Sequence, residues 1–188
     1  FVDAMQARSD ASCVPDDLFT SIHELMFDMS VWEILGSLSC GAAVMPVPAT
    51  MVEKMASFVE LLCDQGVTYL SMTPSAHQTL TKVTRASESR TQRLRASRLR
   101  RILMAGDALD PDGISNWFEL RSAEQTSIAN CYGITETTVY TTCQSVTPEV
   151  MAKCERGTSI GQPIPASYCV VLNEFRQVVG PGSPGEFW

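Results

Sequence analysis

Four short apolar runs, at residues 42–47, 67–72, 99–104 and 126–131, constrain the fold more than any other feature of the chain. Each is the length of a strand and too short for a buried helix, and each is closed by glycine, proline or a polar turn. The stretches between them carry helical periodicity. Val52, Met55, Phe58, Val59, Leu62 and Cys63 fall on one face and stop at Gln65-Gly66. Thr73-Pro74 supplies an N-cap and a first-turn proline to a helix bearing Ala76, Leu80 and Val83, and Asp110-Pro111 does the same for Ile114, Trp117 and Phe118. Strands alternating with helices at this spacing predict an α/β fold with a largely parallel sheet. Such sheets bind ligands at the carboxyl ends of their strands, where Ser71, residues 105–108 and residues 130–136 all lie.

The last of these segments, Asn130-Cys131-Tyr132-Gly133-Ile134-Thr135-Glu136-Thr137-Thr138, joins an aromatic ring, a glycine and hard oxygen donors. Tyr132 offers a flat face for a base. Gly133 permits a turn with positive φ and close backbone approach, and Thr135 and Glu136 present the oxygen ligands that suit Mg²⁺ carried by a polyphosphate. Taken alone, the segment is equally a strand-to-helix turn with solvated threonines. Earlier in the chain, Ser30 followed by Glu33 reads as a capping box that starts a helix at Val31 and runs it to about Cys40. Asp28 precedes that helix, where an acid is favoured by the helix dipole whether or not it binds anything.

With 188 residues, 45 % hydrophobic and 19 % charged, the chain has the composition of one globular core. No window is apolar enough for a membrane span, and the first residues form no signal peptide, so a cytoplasmic location is expected. Seven scattered cysteines without a Cys-x-x-Cys pair indicate neither a disulfide framework nor a zinc knuckle, and most are expected to be reduced and buried. Residues 82–101 hold eight of the fourteen basic side chains and one acid, leaving six bases against twenty acids elsewhere, which argues against nucleic acid as a partner. This arginine-rich stretch reads as a solvated helix or loop. His77 is expected on a helix surface. From Val139 onward the pattern turns to short alternating β-branched segments. Residues 1–145 are therefore assigned to the α/β part and 146–188 to the start of a β-rich subdomain. The glycines and prolines of residues 179–185 form a turn, since prolines lack the N–H groups a phosphate loop needs. Both ends read as cut from a longer protein.

Four segments in this order, Phe27-Asp28-Met29-Ser30-Val31-Trp32-Glu33, Ala105-Gly106-Asp107-Ala108, Asn130-Cys131-Tyr132-Gly133-Ile134-Thr135-Glu136 and Ile160-Gly161-Gln162-Pro163-Ile164, resemble the amino-acid adenylation domains of nonribosomal peptide synthetases. The resemblance runs from about Ser21 to the end. It implies that an amino acid's carboxylate attacks ATP, forming an aminoacyl adenylate that passes to the phosphopantetheine of a carrier domain, with a condensation domain as a further partner. Carried over, Asp28 binds the substrate's ammonium group. Gly106, Asp107, Ala108, Asn130, Tyr132, Gly133 and Thr135 hold the nucleotide, while Thr135 and Glu136 act at the phosphates and Glu136 holds Mg²⁺. Met29, Trp32, Ser71, Leu103, Ala105, Cys131, Val139 and Tyr140 line the side-chain pocket. These walls lack charge, so a neutral, small to medium amino acid is expected, and Ser71 leaves a hydroxylated one open. The family's lysine-bearing phosphate loop belongs before residue 1 and its ribose-binding aspartate and second lysine after residue 188, so the chain alone is expected to be inactive. The competing readings are an acyl- or aryl-CoA synthetase of the same superfamily, and a non-catalytic remnant.

Overall fold

The computed structural model describes residues 1–153 and 159–188; Cys154 lies outside the described residues. Seven strands form one sheet: β1 (Leu18–Ser21), β2 (Ala43–Pro46), β3 (Tyr69–Met72), β4 (Arg101–Met104), β5 (Ser127–Tyr132), β6 (Thr142–Val146) and β7 (Gln162–Pro163). Their spatial order is β2-β1-β3-β4-β5-β6-β7, parallel from β2 through β5 and antiparallel beyond. The expected α/β fold with a largely parallel sheet is therefore present. The four expected strands lie within two residues of their anticipated starts, and β1 is an addition. A separate two-stranded sheet pairs β8 (Val171–Leu172) with β9 (Glu186–Phe187).

The connections decide which helix covers which face. From β1 the chain moves to β2 on one side, then crosses back past β1 to β3. Right-handed crossovers in opposite directions place their helices on opposite faces. Accordingly, the helical stretch after β1, made of Met29–Val31, a π-helical turn Trp32–Gly36, and Ser37–Ser39, packs with Phe19, Tyr69, Leu103 and Cys131. The helices Met55–Asp64, Pro74–Arg85 and Pro111–Leu120 cover the other face over Leu70, Met72, Ile102, Met104 and Ile128. The reversal of strand order sets the topological switch point of the sheet between β1 and β3.

One expectation, that for His77, fails here for an identifiable reason. His77 is 1 % exposed, packed 4.8 Å from Trp117 ring to ring, with no hydrogen-bond partner on Nε2; burial lowers its pKa to about 3. It occupies the same helix face as Leu80, and the core claims that face. Cys13 and Cys40 form a disulfide that joins the segment before β1 to the end of the helical stretch after it, while Cys63, Cys131, Cys143 and Cys169 are free thiols. The arginine-rich stretch is ordered as the helix Glu88–Ala96, which buries Thr91 and Leu94 and directs Arg93 to Asp64. Among the described residues, no helix is long and apolar enough to cross a membrane.

Candidate active site

The carboxyl ends of β4 and β5 frame a cleft of about 460 Å³ lined by Gly106, Asp107, Ala108, Asn130, Cys131, Tyr132, Gly133 and Ile160. Its size falls within the range of small-molecule sites. Six of the seven residues expected to hold a nucleotide thus line one cavity. Asn130 is buried and anchored through Nδ2 to the carbonyl of Ser159 at 3.2 Å. The Tyr132 ring is 41 % exposed and is steadied edge-on by Phe187, with ring centroids 5.9 Å apart. Gly106 has φ +91°, a conformation in which a side chain would be strained.

Gly133 corrects the sequence reading. Its φ is not positive; a Cβ there would stand 2.3 Å from the carbonyl oxygen of Val139. Glycine is required because the strand end and the returning chain touch. That returning chain is itself strained: Thr138 and Val139 have φ of 68° and 69°, and the Tyr140 N–H donates to the Thr138 carbonyl at 2.9 Å. Positive φ at β-branched residues is a costly arrangement, and such outliers cluster at functional sites.

Thr135, the seventh of these residues, does not line the cleft. Its hydroxyl donates to Oδ2 of Asp28 at 2.9 Å across a separation of 107 residues. The residue expected at the phosphates and the residue expected at the ammonium group are therefore in direct contact, which brings the two half-sites together. Glu136 is exposed beside them. Among the described residues, no cluster of three or more His, Cys, Asp or Glu side chains could enclose a metal ion. One exposed carboxylate beside a hydroxyl fits Mg²⁺, which is commonly held by one or two carboxylates and completed by phosphate oxygens and water.

The eight expected pocket residues are all buried. Met29, Trp32, Leu103, Ala105, Cys131, Val139 and Tyr140 belong to one hydrophobic cluster, and Ser71 projects from β3 to the same face as Tyr69, which packs in it. Cys131 reaches the cleft at the ends of β4 and β5, and Tyr140 reaches a second cavity of about 540 Å³ with Thr137, Thr138 and Ile164. The Ser71 and Tyr140 hydroxyls have no hydrogen-bond partner. Burial pushes the Tyr140 phenol well up, so it keeps its proton. Burial, then the neighbouring Cys143 sulfur at 3.0 Å, push the Cys131 thiol up as well. A protonated, buried thiol is no nucleophile.

The capping box is also replaced. Ser30 makes no capping bond, Asp28 occupies the N-cap position, and Glu33 turns away from the helix end. The Glu33 carboxylate is fully buried and accepts from the backbone N–H groups of Ile22 at 3.1 Å and His23 at 3.2 Å, while its other oxygen lies 2.7 Å from His23 Nδ1. Sequence reasoning gave Glu33 no part beyond the cap and gave His23 none. The partner lies ten residues back, beyond the reach of a local pattern.

Residues 1–188 match the family model described as AMP-binding enzyme. Malpinin synthetase of Mortierella alpina is 34 % identical over 92 % of this chain, which spans 2 % of that protein. A dimodular nonribosomal peptide synthase of Bacillus subtilis (strain 168) is likewise 34 % identical over 92 % of this chain, here 7 % of the relative. The structure of holo-PA1221, an NRPS protein containing adenylation and PCP domains, superposes with a TM-score of 0.79 at 23 % identity, covering 97 % of this chain and 30 % of that one. The chain therefore belongs to the AMP-binding enzyme family, within which its relatives are adenylation domains of nonribosomal peptide synthetases.

Proposed function

We propose that this chain forms the substrate-binding part of an adenylation domain that activates a neutral amino acid with ATP. The observation that carries the reading is the contact between Thr135 and Asp28 beside the cleft of Tyr132 and Asn130. It sets an acid for an ammonium group next to a hydroxyl for a phosphate. In the reaction, a carboxylate oxygen of the amino acid forms a bond to the α-phosphorus of ATP and the bond to pyrophosphate breaks. No covalent help from the protein is needed; the work is positioning and charge neutralisation. Tyr132 stacks on adenine, Asn130 and the backbone of Gly106, Asp107 and Ala108 read its edge, and Gly133 allows the close approach. Thr135 donates to phosphate and Asp28 pairs with the ammonium. Glu136 would hold Mg²⁺, which neutralises phosphate charge when bound. The aminoacyl group then passes to a phosphopantetheine thiol of a carrier domain, and a condensation domain uses it; the adenylation and PCP domains named for holo-PA1221 support that partnership. A cytoplasmic location completes the reading; β6 and β7 continue the main sheet past residue 145, which favours a division after Pro163 over one near residue 145.

The walls of the pocket favour a neutral, small to medium substrate side chain. Ser71 and Tyr140, as unpartnered buried hydroxyls, favour one that carries a hydrogen-bonding group.

Amino-acid-dependent exchange of pyrophosphate into ATP by the parent protein tests the proposal. Neutral amino acids are expected to drive exchange, and Asp28→Ala is expected to reduce it about 100-fold, the scale of a lost charge-assisted contact. Equal exchange with the matching acid lacking an amine, spared in Asp28→Ala, would instead mark an acyl- or aryl-CoA synthetase. Absence of exchange with every substrate would mark a remnant.

A further inference from the structure

The turn that carries Asp28 has almost no core of its own. Leu25 and Met26 are 80 % and 81 % exposed, and Phe27 is 58 % exposed. Within the turn, the Phe27 N–H donates to Glu24 at 2.9 Å and the Ser30 N–H to Phe27 at 3.0 Å. Packing therefore anchors Asp28 only from the helix that follows it, through Met29 and Trp32, and not from the turn that precedes it. What closes the turn is the buried Glu33 carboxylate, which reaches back from the helix after Asp28 to the Ile22 and His23 backbone and to His23 Nδ1 before it.

We propose that Glu33 and His23 form a clasp whose role is to position Asp28 for the substrate's ammonium group, making both of them positioning residues for amino-acid binding. The inference rests on the reading of Asp28 given above. Three hydrogen-bonding groups converge on one fully buried acid, so the geometry at the base of the turn is tightly set. Thr135 then holds the carboxylate of Asp28 from the nucleotide side. The exposed tip, residues 24–27, is free to vary while both ends of the turn stay fixed. A binding group that holds the substrate in the ground state and the transition state alike shows its displacement in KM, so a clasp remote from the reacting atoms is felt as weaker amino-acid binding.

The test uses pyrophosphate exchange by the parent protein, with KM for the amino acid and KM for ATP measured separately. Glu33→Gln keeps the shape but removes the charge and leaves one acceptor oxygen in place of two, so the backbone N–H groups and His23 Nδ1 no longer all donate to the side chain. It is expected to raise the amino-acid KM about tenfold, leaving KM for ATP and kcat within about twofold, because the nucleotide cleft is built from other strands. His23→Ala is expected to give a smaller rise in the same direction. His23→Asn, which replaces Nδ1 with an amide N–H, is expected to restore most of the affinity. Should Glu33→Gln fail to fold, the His23→Ala and His23→Asn pair carries the test. Parallel rises in both KM values would show a general structural role and overturn the clasp. So would unchanged amino-acid KM in Glu33→Gln and His23→Ala while Asp28→Asn raises it. If Asp28→Asn itself leaves that KM unchanged, the reading of Asp28 falls and the clasp with it.

Discussion

The two faces of the sheet bury similar amounts of chain but are built differently. The face under the helices Met55–Asp64, Pro74–Arg85 and Pro111–Leu120 is filled with long aliphatic side chains, Leu70, Met72, Ile102, Met104 and Ile128, against Phe58, Leu62, Leu80 and Trp117. The opposite face alternates small side chains, Ser71, Ala105, Ala129 and Cys131, with the aromatic rings of Phe19, Trp32, Tyr69 and Tyr140. Strand alternation alone assigns successive residues to opposite faces, so the contrast is written residue by residue. Large, flexible aliphatics fill space and stabilise; small residues between rigid rings leave room at the strand ends, where both cavities open. The first face holds the fold together, and the second is the one that carries the proposed substrate pocket.

If that contrast is right, damage to the helix face is paid in stability. Trp117 is fully buried there, and Trp117→Ala is expected to cost about 3–5 kcal/mol of unfolding free energy in urea titrations. A loss below about 1 kcal/mol would place the main core elsewhere. His77, against the same ring, gives a second test through pH. Burial holds its folded pKa near 3, below the ordinary value of 6.5, so the unfolded chain binds the extra proton between those values. Stability therefore rises with pH across that window and is lost on acidification, by about 2 kcal/mol between pH 7 and pH 5 from this one group. His77→Leu is expected to flatten that part of the slope; an unchanged slope would mean that the imidazole is solvated.

Much of this was legible in the sequence, because periodicity is a local signal. The strands after residue 42, the helices between them and the nucleotide segments follow from spacing, caps and turns. β1 was missed because four residues between a turn and a polar segment carry too little pattern, and its place in the sheet is fixed by β2 and β3. The capping box was misread because Ser30 and Glu33 satisfy the local rule while Glu33 finds better donors on Ile22 and His23. Gly133 was assigned the right residue type for the wrong reason: proximity to Val139 and not φ. The signal for His77 was present, since it lies three residues before Leu80 on the same face. For the candidate site, the sequence named the side chains expected there, and the fold lines six of them along one cleft and adds that Asp28 and Thr135 touch.

The finest comparison between the faces uses the two orphan hydroxyls on the ligand side. Ser71 and Tyr140 gain nothing for the fold from their oxygens, because neither has a partner. Removing an unsatisfied buried hydroxyl relieves a desolvation cost, so Ser71→Ala and Tyr140→Phe are each expected to leave stability unchanged or raise it by about 1 kcal/mol. Their effect should appear in substrate choice instead. With the matched pair threonine and valine as probes, loss of either hydroxyl is expected to move the ratio of kcat/KM toward valine by about tenfold, the worth of one hydrogen bond in a closed pocket. A stability loss above about 1 kcal/mol in both variants, with the ratio unchanged, would show that these oxygens serve the core. The two faces would then differ in packing alone, and the preference for a hydrogen-bonding substrate would have no basis in the pocket.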